Sequence, residues 1–453
     1  MYQFAKACNV ALLTLAISAC TSSSDSNTAK IDGACSTDNI KQWAYDNLND
    51  YYLFADQVST VNPQSYTTAN ELVKDLRVQP FDRFSYVTDT STSDEVFIEG
   101  KLFGIGYQWQ PDSEDRVVIS AVHANSPLGL TGTINRGDQI AAINGVQLQD
   151  LTEAQFNEFT GTREQPARAN WTFIDGQTNQ SKTVALTPAL YDMNTVFHSE
   201  VIEHPDHSGK IGYMVFDVFV RASEAELDAT LTTFRNEGIN ELVLDLRYNG
   251  GGLVDIATKL SSQIAGAVTD GKPLMEYRHN NKYSEEFDFS LQFSDEPIDL
   301  GLERLIVLTT ERTASSSEIV ISSLSPYIEV VTIGSRTTGK PYITFGNEYC
   351  DKQMHALQAE GFNANNVSVY GGIAPSCGAT DDLTRNFGYS TDGGTTEGML
   401  QSAIDYIVQG TCNTPATAAD PVTLNDGSNG LSIIDSFSEN RLEPGARYNR
   451  EIN

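Results

Sequence analysis

Between Ile211 and Gly334, short apolar runs alternate with stretches of helical period. A chain patterned this way closes into helices layered on a mostly parallel sheet. The runs Ile211–Phe216, Leu242–Leu246, Leu305–Leu308 and Val330–Gly334 have the length of buried strands. Glu224–Asn236, Leu253–Ile264 and Glu318–Leu324 read as the helices between and after them, and Glu397–Val408 as a closing helix.

Polar and glycine-rich residues gather where these strands end. Ser315 lies between the strand at 305–308 and the helix at 318–324, a turn where a hydroxyl stands near unpaired backbone N–H groups. Ser315-x-x-Glu318 is also a capping-box pattern, which alone would need no further role. Two other stretches add one. The strand at 242–246 runs through Arg247, Tyr248 and Asn249 into Gly250-Gly251-Gly252, which lets backbone approach a ligand closely. The strand at 330–334 leads to Thr337-Thr338-Gly339-Lys340, a lysine on a glycine turn.

In their chain order, glycine run, serine turn and lysine turn, the three stretches resemble the carboxyl-terminal-processing, or tail-specific, serine peptidases. Their nucleophile lies in a Ser-x-Ser-Glu-Ile segment and their lysine base at this spacing in a Gly-Lys turn. The resemblance implies that residues 191–412 form an α/β catalytic domain of the crotonase/Clp-protease type. It also implies Ser315 as nucleophile and Lys340 as base. A serine hydroxyl attacks poorly until a base takes its proton. A lysine can be that base where burial in a carboxylate-poor site brings its pKa from ~10.4 towards ~7–8. The oxyanion would be held by the N–H of Gly251 or Gly252 and that of Ser316, with Glu318 in structural support. No metal or other cofactor is implied.

The chain also departs from the family pattern. Pro326 stands where many relatives carry an aspartate, Thr338 and Pro341 flank the Gly-Lys pair, and Arg312 replaces a usual glycine. His123, His198, His204, His207, His279 and His355 read as surface residues, with His355 near enough to Lys340 in sequence to be an alternative base.

The upstream chain reads as two further domains. Residues 33–92 look helical: Ile40, Trp43, Ala44, Leu48 and Tyr51 share one face after the capping candidate Ser36, and a second helix covers Ala69–Leu76. Residues 93–190 resemble a β-rich PDZ domain. Gly104-Ile105-Gly106-Tyr107 is its loop and strand for a terminal carboxylate, beside an apolar groove at Ile105 and Tyr107, and Thr152–Phe159 is its groove helix. Such a domain takes a peptide as an added strand. The implied partners are therefore peptides or proteins with free C-termini.

Residues 1–20 read as a targeting segment. Lys6 precedes a short apolar core, and Ile17-Ser18-Ala19-Cys20 resembles a bacterial lipobox, with Cys20 as the lipidated residue. Residues 21–32 are a polar linker, and 413–453 a mobile tail. Thr21, in place of an aspartate, points to the outer membrane, with the protein facing the periplasm. Export leaves Cys35, Cys350, Cys377 and Cys412 for two disulfides; we expect Cys350–Cys377, flanking one insertion, and then Cys35–Cys412. The net charge of −31 argues against nucleic acid and against electrostatic docking on anionic lipid. Two other classes match parts of the pattern: a non-catalytic PDZ adaptor and an acyl-CoA enzyme on the same fold. Retention of Ser315 and Lys340 disfavours the first, and export with a PDZ module disfavours the second.

Overall fold

The computed structural model describes residues 35–390 and 395–416. The targeting segment with Cys20, the linker at 21–32 and residues 417–453 lie outside the described residues.

Helix α1 (Thr37–Asp50) begins where Ser36 Oγ accepts from Asn39 N–H at 3.2 Å. Helix α2 (Ala69–Leu76) is capped by Thr68 in the same way. Their apolar faces do not close a core of their own. Ala44, Leu48, Leu72 and Val73 pack with Ala314, Tyr342, Met354 and Leu357 of the C-terminal α/β region. The strand Tyr86–Asp89 pairs antiparallel with Lys352–His355. The helical segment therefore forms one wall of the larger domain. Helix α3 (Thr90–Phe97) follows and wedges Val96 against Leu102, Tyr191 and Val220.

The PDZ-like domain is a sheet ordered Tyr107–Pro111, Val117–Val122, Gln139–Ile143, Ala169–Ile174, Ser181–Leu186. Helix α4 (Glu153–Thr160) starts at Thr152 with a complete capping box to Gln155. Alternating inward residues (Ile119, Ile140, Trp171, Phe173) meet Phe156 in the core. Ile105 also lies in this core, 5% exposed, so its side chain does not line a groove as expected from the sequence.

The C-terminal α/β region builds a six-stranded sheet in the order Val196–Glu203, Lys210–Phe216, Glu241–Asp245, Arg304–Thr309, Glu329–Gly334, Cys377–Gly378. The first pair is antiparallel and the rest are parallel. Its four inner strands are mostly buried on both faces, which is why they read as continuous apolar runs. Leu242, Leu244, Leu305 and Val307 face helices α5 (Ser223–Glu237) and α6 (Val254–Ala265). A short α7 (Ser284–Phe287) precedes α8 (Ser316–Leu324), which packs on that same face. Val243, Ile306 and Leu308 face the opposite layer, α9 (Gly398–Gln409). A second, four-stranded sheet (Phe289–Gln292, Pro273–His279, Leu357–Asn363, Tyr342–Thr344) was not visible in the sequence pattern.

Three expectations are corrected here. The disulfides join Cys35 to Cys350 and Cys377 to Cys412, with Cα separations of 5.7 and 5.4 Å. Cys350 and Cys377 flank one segment of chain, but that segment crosses the second sheet and carries Cys377 away to the edge of the main sheet. The hairpin holding Cys350 instead lies against α1, as the stacking of Tyr349 on Trp43 at 5.7 Å shows. The residues assigned to a tail from 413 onward begin as ordered chain, since Gly378 N–H donates to Thr414 O at 3.0 Å. His123 and His355 are buried, at 1% and 9% exposure, not superficial.

Peptide mapping without reductant should yield Cys35–Cys350 and Cys377–Cys412 cross-links. A Cys350–Cys377 peptide would contradict this arrangement.

Candidate active site

Ser315 is the residue just before α8 and holds φ 56°, ψ −116°, a conformation that costs a non-glycine residue about 1–3 kcal/mol. The turn is held from several directions. Ala314 N–H donates to Asn249 O at 3.1 Å, and Ser317 Oγ to the same oxygen at 2.8 Å. Ser316 Oγ donates to Gly252 O at 2.7 Å. The glycine-rich segment is thus stitched to the serine turn, and a Cβ on Gly251 would come within 2.8 Å of Ser315 Cβ. Gly251 has φ 103° and Gly252 φ 132°, so both need the freedom that glycine has.

Glu318 connects this turn to the lysine turn. Its carboxylate is fully buried and accepts four hydrogen bonds. Ser315 N–H donates at 2.9 Å, Lys340 N–H at 2.9 Å, Gly339 N–H at 2.7 Å and Thr337 Oγ at 2.6 Å. Burial pushes its carboxyl pKa up, and the hydrogen bonds pull against that. The sequence reading assigned Glu318 a local capping role. It makes that contact to Ser315 N–H, but three of its four donors come from the distant 337–340 segment.

Lys340 is 3% exposed and sets its Nζ 5.1 Å from the Phe84 ring centroid. Ser315, Lys340, Gly252 and His355 line one cleft of about 350 Å³, with Phe97, Leu253 and Ile343 as apolar wall. His355 Nε2 shares a 2.9 Å hydrogen bond with Gln353 Oε1, and its ring stacks on Tyr86 at 4.7 Å. Burial, then the charge of Lys340, holds its pKa down at about 4. Of the two glycines considered as oxyanion donors, Gly251 gives its N–H to Asn249 Oδ1 at 2.9 Å, whereas Gly252 lines the cleft.

A buried ionic network lies behind the glycine segment. Arg247, fully buried, binds Asp245, Glu397 and Asp381 at 2.7–2.8 Å. Arg136 of the PDZ-like domain reaches in, donating to Tyr248 Oη at 2.6 Å and pairing with Asp381 at 2.5 Å. None of these residues was singled out from the sequence. The available signal was Asp245-x-Arg247 at the end of an apolar strand, since buried charges there require partners. Pro326 lies beyond α8, which ends at Leu324, and Arg312 N–H donates to Thr310 Oγ at 3.2 Å.

In the PDZ-like domain, Gly104 ends a strand paired with Ala189–Asp192. Gly106, at φ 88°, accepts through its carbonyl from His123 N–H at 3.0 Å, and Tyr107 opens the terminal strand of the sheet. A further contact joins this strand to the C-terminal α/β region: Gln108 Nε2 donates to Asp217 Oδ1. Asp217 is buried and leads to Phe219, whose N–H donates to Gly251 O at 2.9 Å. Burial, with a smaller push from Glu226, raises the Asp217 carboxyl to about 7.

Comparison with known proteins matches this architecture. Residues 210–376 match the model for peptidase family S41, 39–86 the peptidase S41 N-terminal domain, and 95–164 the PDZ domain. A Staphylococcus aureus protein described as a probable CtpA-like serine protease is 24% identical over 330 residues, covering 72% of this chain and 62% of that protein. A Staphylococcus epidermidis protein of the same description is 22% identical over 320 residues, covering 69% and 59%. The chain thus spans less than two thirds of the length of these relatives. A crystal structure of a Bacteroides fragilis protein ascribed to the S41 proteases shares the fold, with TM-score 0.63 and 23% identity over 82% of this chain and 97% of that one.

Two outcomes follow from this geometry. Glu318→Gln places an amide among four donors and should cost about 1–3 kcal/mol of stability, read as a lower Tm. An unchanged Tm would show that the clamp holds neither turn. Asp217 has its folded pKa raised above the unfolded value. Stability is therefore lost as pH climbs from about 4 towards about 7, where only the unfolded state readily ionises. Asp217→Asn should flatten the fall in Tm across that window, and a parallel fall in variant and parent would contradict it.

Proposed function

We propose that this chain, with the N-terminal, PDZ and peptidase domains of family S41, is a serine endopeptidase that selects substrates by their free C-termini. The observation that carries this reading is the Glu318 clamp, which joins the Ser315 and Lys340 turns at one cleft. In the proposed reaction Ser315 Oγ attacks the scissile carbonyl while Lys340 Nζ takes its proton. The oxyanion is bound by the N–H groups of Gly252 and Ser316, the latter at the start of α8. Lys340 returns the proton to the departing amine, and water then releases the acyl group from Ser315. A low pKa makes His355 a weak base, which supports Lys340 in that role.

The lipobox at Cys20 supports attachment to the membrane through lipid, with the catalytic domain in the periplasm at the outer membrane. The peptide substrate arrives as a strand added to the edge at Tyr107–Pro111.

A fluorophosphonate probe should label Ser315 in the folded protein, and failure to label would favour a non-catalytic adaptor. Ser315→Ala and Lys340→Ala should each lower kcat by at least about 10³, and the double variant should be no worse than either. Activity retained in Lys340→Ala and lost on adding His355→Ala would transfer the base role to His355. Cys20→Ser should release the protein from membranes without loss of peptide cleavage; a variant that still sediments with membranes would refute the anchor.

A further inference from the structure

Helix α3 serves two sites at once. Ser93, Asp94 and Phe97 line the Ser315 cleft, and Ser93 Oγ lies 3.4 Å from His355 Nε2. Glu95, on the same helix, reaches across to the segment that follows α4. Its carboxylate takes Arg163 in a two-pronged pair: Nη1 donates to Oε2 at 2.6 Å and Nη2 donates to Oε1.

Arg163 lies just beyond α4, and its guanidinium sits 5.5 Å from the centroid of the Phe103 ring. Phe103 directly precedes Gly104-Ile105-Gly106, the loop that feeds the terminal strand Tyr107–Pro111. Tyr107 from that strand and Phe156 from α4 both pack on Trp171, each with centroids 6.2 Å apart. The strand and α4 therefore pack on the same indole, with Arg163 three residues beyond the end of α4 and beside Phe103. A peptide added to the strand with its last residue at that loop would bring its terminal carboxylate towards this guanidinium.

We propose that Arg163 is the receptor for the terminal carboxylate of a bound peptide, and that Glu95 occupies it as an internal stand-in until a substrate displaces it. The chemistry matches: a side-chain carboxylate and a C-terminal carboxylate offer the same two oxygens to the planar guanidinium fork. The Arg163 side chain is 48% exposed and that of Glu95 15%, so an incoming carboxylate reaches the pair from the guanidinium side and replaces one two-pronged contact with another of the same kind. The pair also couples two sites. Freeing Glu95 releases a restraint on α3, the helix that forms one wall of the Ser315 cleft. The inference rests on the reading that the PDZ-like domain selects free C-termini.

The test uses the full chain carrying Ser315→Ala, so that peptides stay intact and binding is read apart from catalysis. Anisotropy of a fluorescein-labelled peptide ending in Ala-Ala is compared with that of its C-terminally amidated twin. The free acid should bind more tightly than the amide. Glu95→Gln should tighten the free acid about three- to fivefold and leave the amide unchanged. Arg163→Gln should abolish the difference between the two peptides, and the double variant should behave as Arg163→Gln alone. Thermal melts identify any variant that fails to fold, in which case Arg163→Met replaces Arg163→Gln. A free-acid affinity indifferent to Glu95→Gln, a preference that survives loss of Arg163, or no binding to the Glu95→Gln protein would each overturn the proposal. Such results with Ser315-dependent cleavage intact would leave the peptidase reading standing. A carboxylate preference without cleavage by the parent chain would do the reverse.

Discussion

One buried carboxylate sets the distance between two turns that are far apart in the chain. Three of the four donors to Glu318 are backbone N–H groups, and a backbone donor cannot swing away as a side chain can. The clamp therefore fixes main chain to main chain, and the side chains of Ser315 and Lys340 inherit their relative placement. A buried carboxylate without partners would be costly. Four hydrogen bonds supply the compensation, and they also help hold Ser315 at a positive φ.

The glycine-rich segment depends on a different kind of support. Its backbone has freedom by composition, so its position must come from its neighbours. Asn249 supplies part of this, accepting from Gly251 N–H with its side chain and from Ala314 N–H with its carbonyl. The buried ions around Arg247 supply the rest, tying the end of the Glu241–Asp245 strand to α9 through Glu397. Removing one partner of such a network typically costs about 3–5 kcal/mol, because it leaves a charge buried and uncompensated. Arg136 joins this cluster from the PDZ-like domain through Tyr248, two residues before the glycines, while Arg163 reaches Glu95 on α3.

Local features were readable where residues neighbouring in sequence decide the outcome. Ser36, Thr68 and Thr152 cap helices that begin one residue later, and the helices at 69–76 and 153–160 lie at or within one residue of their expected bounds. Features made by distant segments were not. The paired sulfurs, the burial of His123 and His355, the core position of Ile105 and the reach of Glu318 all follow from chain crossings that periodicity does not encode. The second sheet escaped notice because its strands carry polar residues such as Glu276, Arg278 and Glu360 among the apolar ones.

The sequence by itself determined the layered α/β core, the PDZ-like module and the order of glycine segment, serine turn and lysine turn. Apolar period and turn chemistry act over a few residues and so leave a local trace. Only the tertiary structure decided that Glu318 bridges two turns, that Gly251 spends its N–H on Asn249, and that the first helices share a core with Tyr342 and Leu357. Those outcomes depend on which buried donors meet which acceptors once the chain has closed, and partners separated by tens to hundreds of residues have no common signal in the pattern of either one.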